Sequence, residues 1–208
     1  MNLHTDKTLI RIVDPDGGYR QKTVSLLRRE GWKVFDYPDV ASFFKCDDLQ
    51  RPGMIISAEY TPQLGGLELL SILKMREVDL PVVLISDSND VAHAVCAMKS
   101  GAADYLLKTT ALDRLVKTVS GVIDVYIEKL SQDVEIAKFK ENLHTLTARE
   151  REVLELISDG LISKEISELL SISLKTVEAH RARIHAKFGI DRMSKIVYHF
   201  IRVRRDFE

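Results

Sequence analysis

The sequence predicts two folds in series: an α/β domain with a doubly wound, five-stranded parallel sheet, then an all-α domain of four short helices, joined by a long helical linker. Three observations predict this. Short apolar runs alternate with helix-periodic segments through the first half, as in βα units that pair in parallel. From residue 112 to about 142, apolar residues recur at steps of three and four with no proline, and no glycine after Gly121. Beyond residue 146 the periodicity breaks into short stretches bounded by cap and turn residues.

In the first domain, residues 1–120, strands are expected over 8–13, 33–37, 54–57, 82–86 and 105–107, and helices over 18–30, 39–46, 66–76, 90–100 and from 112 on. Ligands of such sheets bind at the carboxyl ends of the strands. Those ends carry Asp14 and Asp16 after the first strand, Ala58 and Glu59 after the third, Ser86 after the fourth and Lys108 after the fifth.

The linker, residues 121–145, continues the last helix. The apolar positions of the combined helix, from 112 on, are Leu112, Val116, Val119, Ile123, Tyr126, Leu130, Val134 and Ala137. A helix of about 30 residues extends about 45 Å, beyond the reach of one small domain, so the seam from 126 to 137 is expected to meet a second copy in a homodimer.

The second domain, residues 146–208, opens with the capping box Thr147-Ala148-Arg149-Glu150. Its first helix points Val153, Leu154 and Ile157 inward and stops at Asp159-Gly160; the second, Ser163 to Leu170, points Ile166, Leu169 and Leu170 inward. Ser171-Ile172-Ser173 turns the chain into a basic helix over 173–188, which Gly189 ends, and a fourth helix from about Arg192 buries Ile196, Val197 and Phe200. A tight turn before a basic helix is the helix-turn-helix arrangement. On the basic helix Val177, Ile184 and Phe188 share one stripe, while Lys175, Ala179, Ala182 and Ala186 share the opposite one. The alanine face lets the backbone lie close to a groove, with Glu178 and Arg183 beside it as candidate base-edge readers, Glu178 either accepting from a cytosine amino group or pairing with a neighbouring Arg.

Composition narrows the function classes. With 208 residues, 45% of them apolar and 29% charged, the chain is long enough for two cores and has no run resembling a membrane span. The N-terminus lacks a signal-peptide core, so a cytoplasmic protein without a membrane partner is expected. Cys46 and Cys96 lack metal-ligand spacing and are expected as buried, reduced thiols. Between Lys175 and Arg205 nine Lys/Arg face two acids, in a chain whose net charge is −1. A basic segment in an otherwise acidic protein is the electrostatic footprint of nucleic-acid binding.

Two acids, a hydroxyl and a lysine at one sheet edge resemble the phosphorylation site of two-component receiver domains, which have the flavodoxin-like form of this fold. Pro62 and Gly66 keep the spacing of that family's Asp-x-x-x-Pro-x-x-x-Gly segment, and Ala97-Met98-Lys99-Ser100-Gly101-Ala102 with Asp104-Tyr105 matches the stretch before its lysine. The resemblance implies that acids hold Mg²⁺, that a central aspartate accepts phosphate, and that Tyr105 is the switch aromatic. The sequence departs from it where the chemistry lies. Both anchors set the phosphoacceptor at position 58, which is Ala58; Pro15 replaces the second acid of the usual pair, and Thr109 the proline after the lysine. Ala58 is either natural, giving a degenerate pseudo-receiver, or introduced to silence phosphorylation; Pro15 and Thr109 favour the former. Glu59, a residue further on, is expected to face the other way. Asp14, Asp16, Ser86 and Lys108 are then either residual polarity and caps or a weak Mg²⁺ or anion site, with no other metal and no cofactor expected.

In the second domain, Leu146 to Leu154, Ser163-Lys164-Glu165-Ile166 and Thr176-Val177-Glu178-Ala179-His180-Arg181 resemble the LuxR-type DNA-binding domain, closest to the FixJ branch of the NarL/FixJ response regulators. The resemblance implies that Lys175, Glu178, Ala179, Ala182 and Arg183 face the major groove while Lys164, Thr176, Arg181 and Lys187 hold phosphates. His180 is expected as a satisfied structural histidine and His185 as surface. The expected function is sequence-specific transcription regulation by a non-enzymatic dimer that binds double-stranded DNA without aspartyl phosphorylation, with a histidine kinase or another regulator as a further partner. The alternative is an adaptor that binds such a partner and no DNA.

Overall fold

The computed structural model describes residues 8–110 and 112–204; the N-terminal stretch, Arg205 and the side chain of Leu112 lie outside the described residues. Five strands, β1 (Leu9–Val13), β2 (Lys33–Tyr37), β3 (Gly53–Ala58), β4 (Val82–Ser86) and β5 (Asp104–Leu107), form a parallel sheet in the order β2-β1-β3-β4-β5. The three inner strands β1, β3 and β4 are buried along their whole length, as both faces of a parallel sheet must be, whereas edge strand β2 is buried only in part. Helices α1 (Gly17–Arg29), α2 (Val40–Cys46), α3 (Gly66–Met75) and α4 (Val91–Lys99) connect them.

The strand order reverses between β1 and β3, and this switch point is where a crevice opens at the carboxyl ends. Val13 pairs with Ser57, so Asp14 leaves β1 beside Ala58, the last residue of β3, which still pairs with Ile85 of β4. Gly66 is tied to the same corner. A Cβ there would stand 2.6 Å from the Leu84 side chain and 3.1 Å from the Ala58 carbonyl, so the start of α3 can sit against β3 and β4 only as glycine.

Helix α5 (Leu112–His144) is continuous over 33 residues. Leu115, Val119 and Ile123 join the core of the sheet, while Phe139 and Leu143 join a second core with α6 (Ala148–Ser158), α7 (Ser163–Leu169), α8 (Leu174–Phe188) and α9 (Met193–Arg204). The compact units are residues 1–127 and 128–208. The separate linker expected over 121–145 is thus shared between them, because Ile123 is buried in one core and Phe139 in the other. Thr147 caps α6 through the expected capping box, and Gly189 ends α8 in the left-handed region at φ 62°, a conformation worth about 1 kcal/mol less strain without a Cβ.

Some burial expectations need correction. Cys46 and Cys96 are exposed free thiols: Val40 and Phe43 fill the inward face of α2, and Ala97 alone that of α4. Leu169 is 61% exposed, because Ile166 and half-buried Leu170 occupy the inward side of the short α7. On α9 the buried row is Ile196, His199, Phe200 and Val203, leaving Val197 half-buried.

Candidate functional site

At the sheet edge, the end of β1 turns into α1 through Asp16, whose carboxylate accepts from the Gly18 and Tyr19 amides; those bonds, the Tyr19 amide foremost, hold its pKa below the usual carboxylate value. Buried Asp14 accepts from the Asp16 amide at 2.8 Å and pairs with Lys108 at 3.2 Å. Burial raises the Asp14 pKa against the pull of that amide and of Lys108. Burial alone would lower Lys108, but Asp14 and then Asp87, also at 3.2 Å, outweigh it and raise its pKa. The ammonium lies 5.2 Å from the centre of the Tyr19 ring. Ser86 is buried and its hydroxyl accepts from the Ser88 amide.

Ala58 is 3% exposed and presents a methyl group at the end of β3. This donor set does not fit Mg²⁺, which needs near-octahedral oxygen ligands. Asp14 is neutralised by Lys108, Asp16 is spent on a helix cap, and position 58 offers no oxygen. Of the two expectations for Asp14 and Asp16, these contacts fit residual polarity and capping better than a weak cation site. Among the described residues no group of three His, Cys, Asp or Glu could hold a metal ion.

Glu59 turns away from Lys108, and what it meets was not foreseen. The residue is 6% exposed; Oε2 accepts from the Tyr105 hydroxyl at 2.8 Å and Oε1 lies 3.2 Å from His93 Nδ1 on α4. The Tyr60 hydroxyl meets the same His93 nitrogen at 2.9 Å. β3, β5 and α4 are thereby joined through one buried carboxylate. The only sequence signal was an acid following Ala58 in an otherwise apolar run.

In the helical unit, α8 presents Lys175, Thr176, Glu178, Ala179, Ala182 and Arg183 exposed on one side and buries Val177, Ile184 and Phe188 on the other. Lys164 is exposed on α7 and Arg181 is half-buried, its guanidinium 3.9 Å from Glu178. Ser173 caps α8 and its hydroxyl also meets Thr176 Oγ1 at 2.8 Å. Arg149 donates to the Leu170 carbonyl at 2.8 Å, which fixes the turn between α7 and α8.

Lys187 does not stand with the phosphate group of residues. Its ammonium donates to Glu150 Oε2 and to the Thr145 carbonyl, both at 2.6 Å, and Glu150 is 3% exposed. Burial would raise the Glu150 pKa, but Lys187 and the Thr147 amide outweigh it and lower it. Lys187 therefore staples the end of α8 to the start of α6. His185 is structural, its Nδ1 meeting the Ile190 carbonyl at 2.9 Å beyond the helix end. His180 is half-buried, but its Nδ1 has no hydrogen-bond partner among the described residues, so it is not the satisfied histidine expected.

A doubly wound sheet with an acid, a hydroxyl and a lysine at its switch point, followed by a helix-turn-helix unit with an exposed basic helix, defines a receiver coupled to a DNA reader. Residues 10–120 match the response regulator receiver domain family, and residues 144–200 match the bacterial regulatory proteins of the luxR family. The chain belongs to the NarL/FixJ-type response regulators and is a DNA-binding two-component regulator. It is 30% identical to the transcriptional regulatory protein TdiR of Thauera aromatica, covering 92% of this chain and 84% of that one. It is 30% identical to FixJ of Rhizobium meliloti, over 96% and 95% respectively. Among solved structures, the response regulator StyR superposes with a TM-score of 0.78 at 26% identity, covering 94% of this chain and 99% of that one. Full-length FixJ from B. japonicum superposes with a TM-score of 0.59 at 28% identity, covering 96% and 98%. Among the described residues no helix is long and apolar enough to cross a membrane.

Proposed function

We propose that this regulator controls transcription without aspartyl phosphorylation, its receiver being degenerate and its helix-turn-helix unit reading a specific duplex sequence in the cytoplasm as a homodimer. One observation carries the first part: the residue that ends β3, at the position the Pro62 and Gly66 spacing gives to the phosphoacceptor, is a buried alanine with no acceptor oxygen, next to an Asp14 that is paired with Lys108. A methyl group has no lone pair with which to attack phosphorus. The receiver therefore performs no phosphoryl transfer and serves as a docking body for a histidine kinase or another regulator. Beryllofluoride or an acyl-phosphate donor should leave operator affinity unchanged in a mobility-shift titration. A clear gain in affinity with either reagent overturns the reading.

On the DNA side, Lys175, Glu178, Ala179, Ala182 and Arg183 line the major groove, and Lys164, Thr176 and Arg181 hold phosphates. Support comes from the exposure of Lys175, Thr176, Glu178, Ala179, Ala182 and Arg183 on one side of α8 and of Lys164 on α7. Arg183→Ala should relax preference at one base pair, a change of about 1–3 kcal/mol, while Lys164→Ala weakens all duplexes alike. A random-oligonucleotide selection that enriches no sequence would favour the adaptor alternative.

A further inference from the structure

Of its large apolar side chains α8 buries all but one. Val177, Ile184 and Phe188 enter the core of the helical unit, whereas Leu174, the first residue of the helix, is 50% exposed. One exposed leucine is ordinary on a protein surface. Its place on this helix is not. Leu174, Glu178 and Ala182 stand four residues apart, and side chains at that step line up as one ridge along a helix. Glu178 and Ala182 belong to the exposed face assigned above to base edges, so Leu174 extends that face by one turn toward the helix N-terminus.

The first turn is also held in place. The Ser173 hydroxyl accepts from the Thr176 amide at 3.1 Å, and the Ser173 carbonyl accepts from the Val177 amide at 3.1 Å. At the other end of the turn between the helices, the Arg149 guanidinium donates to the Leu170 carbonyl at 2.8 Å. The backbone under Leu174 is thus fixed from both sides. A helical Cβ points back toward the N-terminus, which is the end that a helix-turn-helix unit brings to the base edges. Leucine gives the helix start nothing in return, since it neither caps an amide nor complements the positive pole of the dipole.

We propose that Leu174 is a specificity-determining residue that recognises the C5 methyl group of a thymine in the major groove. The inference rests on the reading of α8 as the recognition helix and adds one residue to it. Among the four bases, the thymine methyl is the apolar group on the major-groove edge, and an apolar side chain is its natural contact. Packing the two together removes both from water without engaging a donor or acceptor of the base. Leu174 therefore separates thymine from cytosine by shape, where Lys175 and Glu178 act through charge.

The operator is first selected from random duplexes with the full-length chain. Each thymine of one half-site is then replaced by deoxyuridine, which removes the methyl and leaves every hydrogen-bonding group in place. One replacement is expected to cost about fourfold in affinity, the equivalent of about 0.8 kcal/mol for one methyl-sized group. In Leu174→Ala the same replacement should cost nothing, while Leu174→Met, which keeps a long apolar chain, should retain the effect; both variants should melt as the native chain does. If no thymine replacement costs more in the native chain than in Leu174→Ala, the proposal is overturned and the recognition helix still stands. A Leu174→Ala chain that binds the operator as tightly as the native one also overturns it, and poor transcription by that variant would move the leucine to a protein contact. A selection that enriches no sequence fails earlier and removes the reading of α8 together with this residue's role.

Discussion

Arg11 is the least expected side chain in the molecule, a guanidinium in the middle of an otherwise apolar inner strand. Its Nε meets Asp47 at 2.6 Å with both side chains closed to water, its Nη2 donates to the Asp48 and Arg51 carbonyls, its Nη1 to the Leu9 carbonyl, and the Tyr37 hydroxyl donates to the same Asp47. One strand residue thus anchors the loop that leads into β3, and so sets where Ala58 emerges. Removing one partner of a buried pair leaves the other charge uncompensated, which costs about 3–5 kcal/mol. Asp47→Asn should therefore lower the denaturant midpoint of the sheet unit's unfolding by a corresponding amount; a loss under about 1 kcal/mol would show that water reaches the guanidinium. Periodicity treats this strand as apolar and cannot supply Asp47, 36 residues away. The strand-end residues Asp14, Ser86 and Lys108 were legible for the opposite reason: a parallel sheet sends every strand's exit to one edge, so order along the chain already implies neighbourhood in space. Glu59 was half-legible, since the alternation of an extended chain turns it away from Lys108 but does not reveal Tyr105 or His93.

Among the elements, α8 shows what pattern can and cannot assign. Its buried row and its alanine face follow from spacing alone, because a helix repeats every 3.6 residues whatever it packs on. Lys187 reads as one more basic residue at the end of that helix, and only the fold brings it to Glu150, 37 residues earlier. The two assignments predict different outcomes for one substitution. Lys187→Met strands a buried carboxylate, so the helical unit should lose about 1–3 kcal/mol of stability while base preference in the surviving protein stays the same. Calorimetry and operator selection on the same variant check this, and a purely uniform loss of DNA affinity without destabilisation restores the phosphate role. Acid gives an independent handle on the staple. Glu150 has a folded pKa below its unfolded value of 4.5, so the folded state holds fewer protons, and the stabilisation is complete above about pH 4.5 and lost as pH falls through the folded value. The melting temperature of the helical unit should decline over that window, and Glu150→Gln should flatten the decline. An unchanged slope in that variant would assign the acid sensitivity to other carboxylates.

For the whole molecule the decisive property is the segregation of charge, nine Lys/Arg against two acids from Lys175 to Arg205 in a chain of net charge −1. Phosphate neutralisation releases counterions, so affinity falls with salt in proportion to the number of phosphates engaged. On the proposed assignment, with Lys187 paired to Glu150, each copy offers the cations Lys164 and Arg181 to phosphates and a dimer engages about four, which predicts roughly a 10²-fold loss of affinity between about 50 and 200 mM salt. The same measurement tests the seam on α5. Val134 is 67% exposed and Ala137 is also exposed, although both continue the apolar row that enters the two cores. On the proposed dimer a second copy covers them, and glutamate at both positions then places like charges across a two-fold contact at little cost to either fold. Val134→Glu with Ala137→Glu should therefore yield a monomer by sedimentation, and its salt slope on a half-site should be about half that of the native protein on the full operator. A native slope already at the half value, or a variant that remains dimeric, would move the dimer contact off α5 and leave each helix-turn-helix unit to find its phosphates alone.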